Sequence, residues 1–183
     1  MQIFNLRDLY MIKTKRLIME PFEMKYLNDY FCGFNEEITK YQWPNPFDSV
    51  DAAREMLQVF LNEMERGETL LFSILSRDAA FFGSVEIHGL NGDCPELGIW
   101  IKEHEQKKGY AYEALKAVLD YVRLKFHKTA FFYEADVRNT SSMKLLRKFE
   151  AQYIIKEREI EKVTADSGKE LELQGFILEA KQK

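Results

Sequence analysis

Glu96-Leu97-Gly98-Ile99-Trp100-Ile101, followed by Gln106-Lys107-Lys108-Gly109-Tyr110-Ala111, is the stretch on which the fold turns. Its first part reads as a strand and its second as a polar loop that leads into a helix. Leu115, Val118, Leu119, Val122 and Phe126 then recur at helical spacing on one face. Glycine and alanine stand where the helix begins, so nothing bulky covers its first turn. Backbone N–H groups there have no partner inside the helix and carry partial positive charge, which suits a phosphate or pyrophosphate. Lys107 and Lys108 add mobile positive charge. Alone, such a loop does not separate phosphate binding from a plain turn; a glycine before a helix is commonly only that.

The flanking segments give the loop its context. A strand is expected over 16–20, closed by Pro21, and a helix over 22–34. Trp43-Pro44-Asn45-Pro46 reads as a loop, because each proline pushes its predecessor out of the helical region. Asp48 and Asp51 then open a helix with Val50, Ala53, Leu57, Phe60 and Met64 on one stripe, and Gly67 stops it. Strands over 69–76, 81–88 and 96–102 form an antiparallel meander. After the loop and its helix come a strand over 130–137, a short helix from Asn139, and two strands around Asp166-Ser167-Gly168. On the last strand Leu171 and Leu173 share one phase while Phe176 and Leu178 take the other, so a bulge is expected at Gln174-Gly175. The order describes a mixed α/β domain.

The 183 residues, 46% hydrophobic and 31% charged, are globular in composition and sufficient for one core. A net charge of −4 does not suit nucleic acid, which needs a concentrated basic face. No stretch reaches the length of a membrane span. Cys32 and Cys94 fit no metal spacing, and His88, His104 and His127 form no ligand pair, so no metal is expected. Unpaired cysteines point to a reduced, cytoplasmic protein. Met11 is a second plausible start, so residues 1–10 read as an extension outside a single domain over 11–183. Many aromatics fall early in the chain (Phe31, Phe34, Tyr41, Trp43, Phe47), as core packing or as the lining of a cleft.

Gln106-Lys107-Lys108-Gly109-Tyr110-Ala111 resembles the Gln/Arg-x-x-Gly-x-Gly/Ala signature of the GNAT acetyltransferases. Asn139-Thr140-Ser141-Ser142 with Leu145-Leu146-Arg147-Lys148 resembles the Asn-x-x-Ser helix of the RimJ/RimL-like branch. Thr14-Lys15-Arg16-Leu17 with Pro21-Phe22, and Glu96 to Trp100, resemble that branch's opening and central strands. The matches run in the family's order over nearly all the chain after Tyr10. The resemblance implies a mostly antiparallel sheet flanked by helices, whose central strands splay apart around acetyl-CoA. It places the pantetheine along Ile99, Trp100 and Ile101, and the pyrophosphate on the loop of Lys107, Lys108, Gly109, Tyr110 and Ala111, with Gln106 also among the cofactor-binding residues. Asn139 and Ser142 would lie beside the thiol end, although Asn139 is equally an ideal helix cap. Glu150-Ala151 replaces the family's usual Gly-Phe after this helix, removing a glycine suited to a left-handed helix end. The tyrosine that many members use as general acid would fall near Leu146, which leaves the acid unassigned.

Acyl transfer to an amine needs a group to take the ammonium proton and an N–H, here on a bulged central strand, to polarise the thioester carbonyl. Glu96, at the opening of that strand, is the first candidate base; its bland alternative is a surface carboxylate. Glu86 is the second, facing away from Val85 and Ile87, with His88 on its side. Ser142 is a candidate to protonate the departing thiolate. The implied acceptor is an amine of a small molecule or a protein N-terminus, and a homodimer is compatible by analogy with the fold. A non-catalytic CoA-binding module is the principal rival reading, and a domain for some other phosphate ligand the third.

Overall fold

The computed structural model describes residues 11–165 and 167–181; the 1–10 extension and Asp166 of the hairpin turn lie outside them. The strands are β1 (Ile12–Lys13), β2 (Leu17–Pro21), β3 (Thr69–Ser76), β4 (Phe81–His88), β5 (Glu96–Ile101), β6 (Ala130–Asp136), β7 (Tyr153–Thr164) and β8 (Glu170–Ala180). They form one sheet in the order β1-β2-β3-β4-β5-β6-β8-β7. All its pairings are antiparallel except β5 with β6. The helices are α1 (Leu27–Gly33), α2 (Glu36–Thr39), α3 (Val50–Glu65), α4 (Tyr110–Phe126) and α5 (Thr140–Arg147).

Strand alternation divides this sheet between two sets of helices. Phe72 of β3 sits opposite Val85 in the ladder, and its ring meets Tyr121 of α4 edge-on. Glu86, one residue on and therefore on the other face, accepts from Tyr30 of α1. Trp100 shares that second face, packing its indole edge against Tyr30 at 5.0 Å between ring centroids. Leu17, Met19, Leu70, Phe72, Val85, Leu119 and Phe131 are fully or almost fully buried in the core between the layers.

The decisive feature is how little β5 and β6 share. Their parallel register holds only Glu96↔Phe132 and Leu97↔Tyr133, while β5 stays paired with β4 from Glu96 to Ile101. Beyond Leu97 the two strands part. The expected bulge on this central strand is absent, because its register with β4 is unbroken. Separation from β6 frees its backbone instead. The irregularities lie elsewhere: β4 carries an extra residue at Phe82, between the pairs Ile74↔Gly83 and Leu75↔Phe81.

Other expectations need adjustment. The helix expected over 22–34 divides into a 3-10 turn at Met24–Tyr26 and α1, and α2 follows unforeseen. Ser49, not Asp48, caps α3 by accepting from the Ala52 N–H at 3.1 Å. The bulge expected at Gln174-Gly175 sits on the facing strand: Glu157↔Phe176 and Ile160↔Gln174 leave the extra residue on β7. β8 keeps continuous register with β6 through Gln174 and Gly175. Glu150-Ala151 does no harm after α5, because neither residue has positive φ; among the described non-glycine residues only Ala79, Lys107 and His127 do.

Candidate active site

The parting of β5 and β6 opens a cleft of about 410 Å³. Ile99, Trp100, Ile101, Gln106, Lys107, Gly109, Tyr110, Ala111, Asn139 and Ser142 all line it, as do Tyr133 and Leu145. Lys108 does not; its ammonium pairs with Glu105 at 2.9 Å.

Backbone direction along β5 follows from three bonds. The Lys102 N–H donates to Phe82 on the β4 side at 2.7 Å, and the Phe132 N–H of β6 donates to Pro95 at 2.9 Å. Gln106 donates its side-chain amide to the Ile101 carbonyl at 3.0 Å, closing the strand end. Alternation therefore turns the N–H and C=O of Ile99 toward the side where β6 has left. An extended amide-bearing arm finds a strand edge there.

At the loop, Lys107 (φ 61) and Gly109 (φ 86) are left-handed. Among these helices α2, α3 and α5 have side-chain caps, from Asn35, Ser49 and Asn139, whereas α1 and α4 have none. The first N–H groups of α4 open on the cleft uncapped, which fits an anionic ligand. Lys40, Lys144 and Lys148 join Lys107 along the wall, against Glu37 and Glu105.

Arg16 holds this loop, a role sequence reading missed although the residue stood in a quoted motif. Its guanidinium donates to Glu113 Oε2 at 2.6 Å and to the Lys108 carbonyl at 2.9 Å. It also lies 4.5 Å from the centroid of the Tyr110 ring. Thr14 donates to Glu113 Oε1 at 2.6 Å. Burial alone would raise the Glu113 carboxyl, but the hydrogen bonds from Thr14 and Arg16 outweigh it and hold the pKa below its ordinary value. Stability from this clamp is thus present at neutral pH and lost as pH falls through that lowered pKa. Arg16→Ala should raise the KM for acetyl-CoA about three- to tenfold with little change in kcat, for a loss of ~1 kcal/mol. Steady-state kinetics would show it, and an unchanged KM would mean that the loop holds itself.

At the far end of the cleft, Asn139 caps α5 by accepting from the Ser142 N–H at 3.0 Å. The Ser142 hydroxyl lies 2.6 Å from the phenol of Tyr133, a buried residue of β6. Burial pushes the Tyr133 pKa up, against the smaller opposing effect of Ser142, so the phenol keeps its proton. Sequence reading missed Tyr133. The available signal was the alternation Phe131, Tyr133, Ala135 toward the face that α5 covers.

A second, smaller cavity of about 100 Å³ shares Gln42, Ile99 and Trp100 with the cleft. Tyr30, Phe34, Trp43, Phe47 and Phe60 line it, and Glu86 points its carboxylate there. The early aromatics thus divide: Tyr30 and Phe34 serve both core and cavity, while Trp43 is 62% exposed at the rim. Glu86 Oε1 accepts from Ser84 at 2.9 Å and from Tyr30 at 3.3 Å. Its Oε2 lies 3.3 Å from His88 Nε2. His88 Nδ1 lies 3.4 Å from the Thr69 hydroxyl, which donates to Glu63 at 2.8 Å. Both imidazole nitrogens face acceptors, which suits the protonated ring. Burial would lower the His88 pKa, but Glu86 first, then the charges of Glu96 and Glu63, raise it. Glu96 lines neither cavity and is exposed at the start of β5.

Comparison with known proteins agrees with this geometry. Residues 16–152 match the family described as Acetyltransferase (GNAT) domain. The chain belongs to the GNAT acetyltransferase family. Membership makes it an acetyl-CoA-dependent N-acetyltransferase. The protein named "Uncharacterized N-acetyltransferase p20" from Bacillus licheniformis is 28% identical over 145 residues, covering 76% of this chain and 80% of its own length. Among solved structures, a RimL ribosomal L7/L12 alpha-N-protein acetyltransferase in complex with coenzyme A superposes with a TM-score of 0.78 at 14% identity, covering 93% of this chain and 98% of that one. Spermidine N-acetyltransferase from Vibrio cholerae, in complex with CoA and spermine, gives 0.75 at 19% identity, covering 91% and 97%. At such identities these structures establish the shared GNAT fold.

Proposed function

We propose that the protein moves the acetyl group of acetyl-CoA to a primary amine by direct attack in a ternary complex. The observation that carries this reading is that the two cavities share Gln42, Ile99 and Trp100 in their walls. One side offers an open strand edge and an uncapped helix start; the other offers a carboxylate among rings. The cofactor's contribution, once bound, is an acetyl thioester. Ile99 and Ile101 would hold the pantetheine, and the N–H groups of Gly109, Tyr110 and Ala111 with Lys107 the pyrophosphate. Asn139 and Ser142 would lie at its thiol end.

Glu86 is the base this geometry favours over Glu96, because its carboxylate faces the smaller cavity and is only 15% exposed. An alkylammonium with a pKa of about 10.4 must lose a proton before it attacks. Glu86 accepts that proton, and His88, Thr69 and Glu63 form a hydrogen-bonded row behind its Oε2. The N–H of Ile99 faces the cleft where the thioester carbonyl would be polarised. Ser142, held by Tyr133, is placed to give a proton to the departing thiolate.

Thermal unfolding with acetyl-CoA, CoA and ADP, coupled to a thiol-release assay with amines, tests the reading. A rise in midpoint with acetyl-CoA and CoA, little rise with ADP, and amine-dependent thiol release are expected. A rise without turnover over a wide amine panel would count against the proposed acceptor and base; no rise would remove the assignment of the larger cleft to the cofactor.

A further inference from the structure

The smaller cavity narrows the acceptor beyond "a primary amine", on the footing of the function just proposed. Its volume of about 100 Å³ is below the ~150 Å³ that encloses a benzene ring. A cavity of this size suits an amino group on a short arm better than a branched body. Among the described residues that line it, Glu86 is the one charged side chain; the others are aromatic rings, Met56, Pro44, Gln42 and the backbone-rich wall of β5.

Charge decides what can enter. An ammonium that leaves water here is met by the Glu86 carboxylate and by aromatic rings, which together compensate its lost hydration. A second ammonium on the same arm would find rings but no second carboxylate among the described residues that line this cavity, and would be less well compensated than the first. A peptide N-terminus brings branching at the carbon that bears the amine, together with an amide that needs its own partners. Gly98 leaves the Glu86 carboxylate uncrowded from β5: a Cβ there would lie 3.3 Å from Glu86 Oε2.

The wall is also fastened. Lys169, from the turn between β7 and β8, donates to the carbonyls of Thr39 at 2.9 Å and Gln42 at 2.8 Å. Arg138 lies 5.6 Å from the ring centroid of the neighbouring Tyr41, and the fully buried Asp136 grips its guanidinium at 2.7 and 2.6 Å. The segment from Thr39 to Gln42 is thus tied to the distal half of the sheet, and Gln42, which lines the cavity, is held with it. Preorganisation of this kind favours one size of ligand.

We infer that the acceptor is a primary monoamine carried on a short, unbranched, uncharged apolar arm, taken amine-first with its nitrogen against Glu86. Thiol release at saturating acetyl-CoA would be compared for n-propylamine, n-hexylamine, spermidine and a serine-initiated hexapeptide. Propylamine should exceed spermidine and the peptide in kcat/KM by about tenfold or more. Met56→Ala, which enlarges the cavity, should shift the ratio of hexylamine to propylamine toward hexylamine by about tenfold, with stabilisation by acetyl-CoA unchanged. Spermidine or the peptide matching propylamine, or an unmoved ratio in the variant, would overturn the inference and leave the transferase standing. No turnover of any amine would overturn both.

Discussion

Glu86→Gln should lower kcat/KM for the amine by about 10²- to 10⁴-fold, while stabilisation by acetyl-CoA stays as in the native protein. The substitution keeps the shape of the side chain and leaves an acceptor oxygen for Ser84 and Tyr30, so packing around it is preserved. What it removes is a group able to take a proton. The loss should be smaller at high pH, where more of the amine is already neutral. Burial first, and then the Glu86 charge, push the Tyr30 pKa well up, so this phenol donates to the carboxylate and does not compete as a base. Glu96→Gln is the informative control, because Glu96 lines neither cavity. If Glu96→Gln abolished activity and Glu86→Gln did not, the proton would leave at the mouth of the sheet, and the aromatic cavity would lose its place in the mechanism.

The contrast between these carboxylates shows where sequence reading succeeds. The grouping of residues around the larger cleft was legible because its features are local. A polar loop, a glycine at a helix start and Asn139 three residues before Ser142 describe backbone conformations that the sequence encodes within one or two turns. Most residues named for the cofactor line that cleft. Glu86 was named from its strand phase, but the surroundings of the smaller cavity were not legible, because topology assembles them. Tyr30 reaches Glu86 across 56 positions of sequence, and Arg16 reaches Glu113 across 97. Strand phase placed Glu86 on the opposite face from Val85 and Ile87, but it could not say that α1 would cover that face with rings. Tyr133 was hidden for a related reason: a tyrosine in an apolar strand reads as core, and only the position of α5 gives its hydroxyl a partner. The bulges show the same limit, since a change of phase on β8 was answered by an extra residue on β7.

Gly83→Ala should destabilise the protein by ~3 kcal/mol, lowering Tm by about 6–12 °C, and should raise the KM for acetyl-CoA. Gly83 lies on β4 opposite Ile101, next to the extra residue that bends the strand. A Cβ at this position would stand 2.1 Å from the Trp100 carbonyl oxygen and 3.0 Å from the Ile101 Cα. Both are backbone atoms, so no side chain can swing aside; β4 and β5 must separate. That separation displaces the stretch whose backbone faces the cleft and whose Trp100 walls both cavities, so stability and cofactor affinity should fall together. Gly89→Ala separates this clash from simple backbone strain. Gly89 also has positive φ (+66), but nothing lies within 4 Å of its added Cβ, so its cost should stay near ~1 kcal/mol with the KM unchanged. Equal losses in the two variants, measured by thermal unfolding, would mean that the ladder between β4 and β5 relaxes freely. In that case the close approach of these strands would not be what holds the open edge of β5 in place.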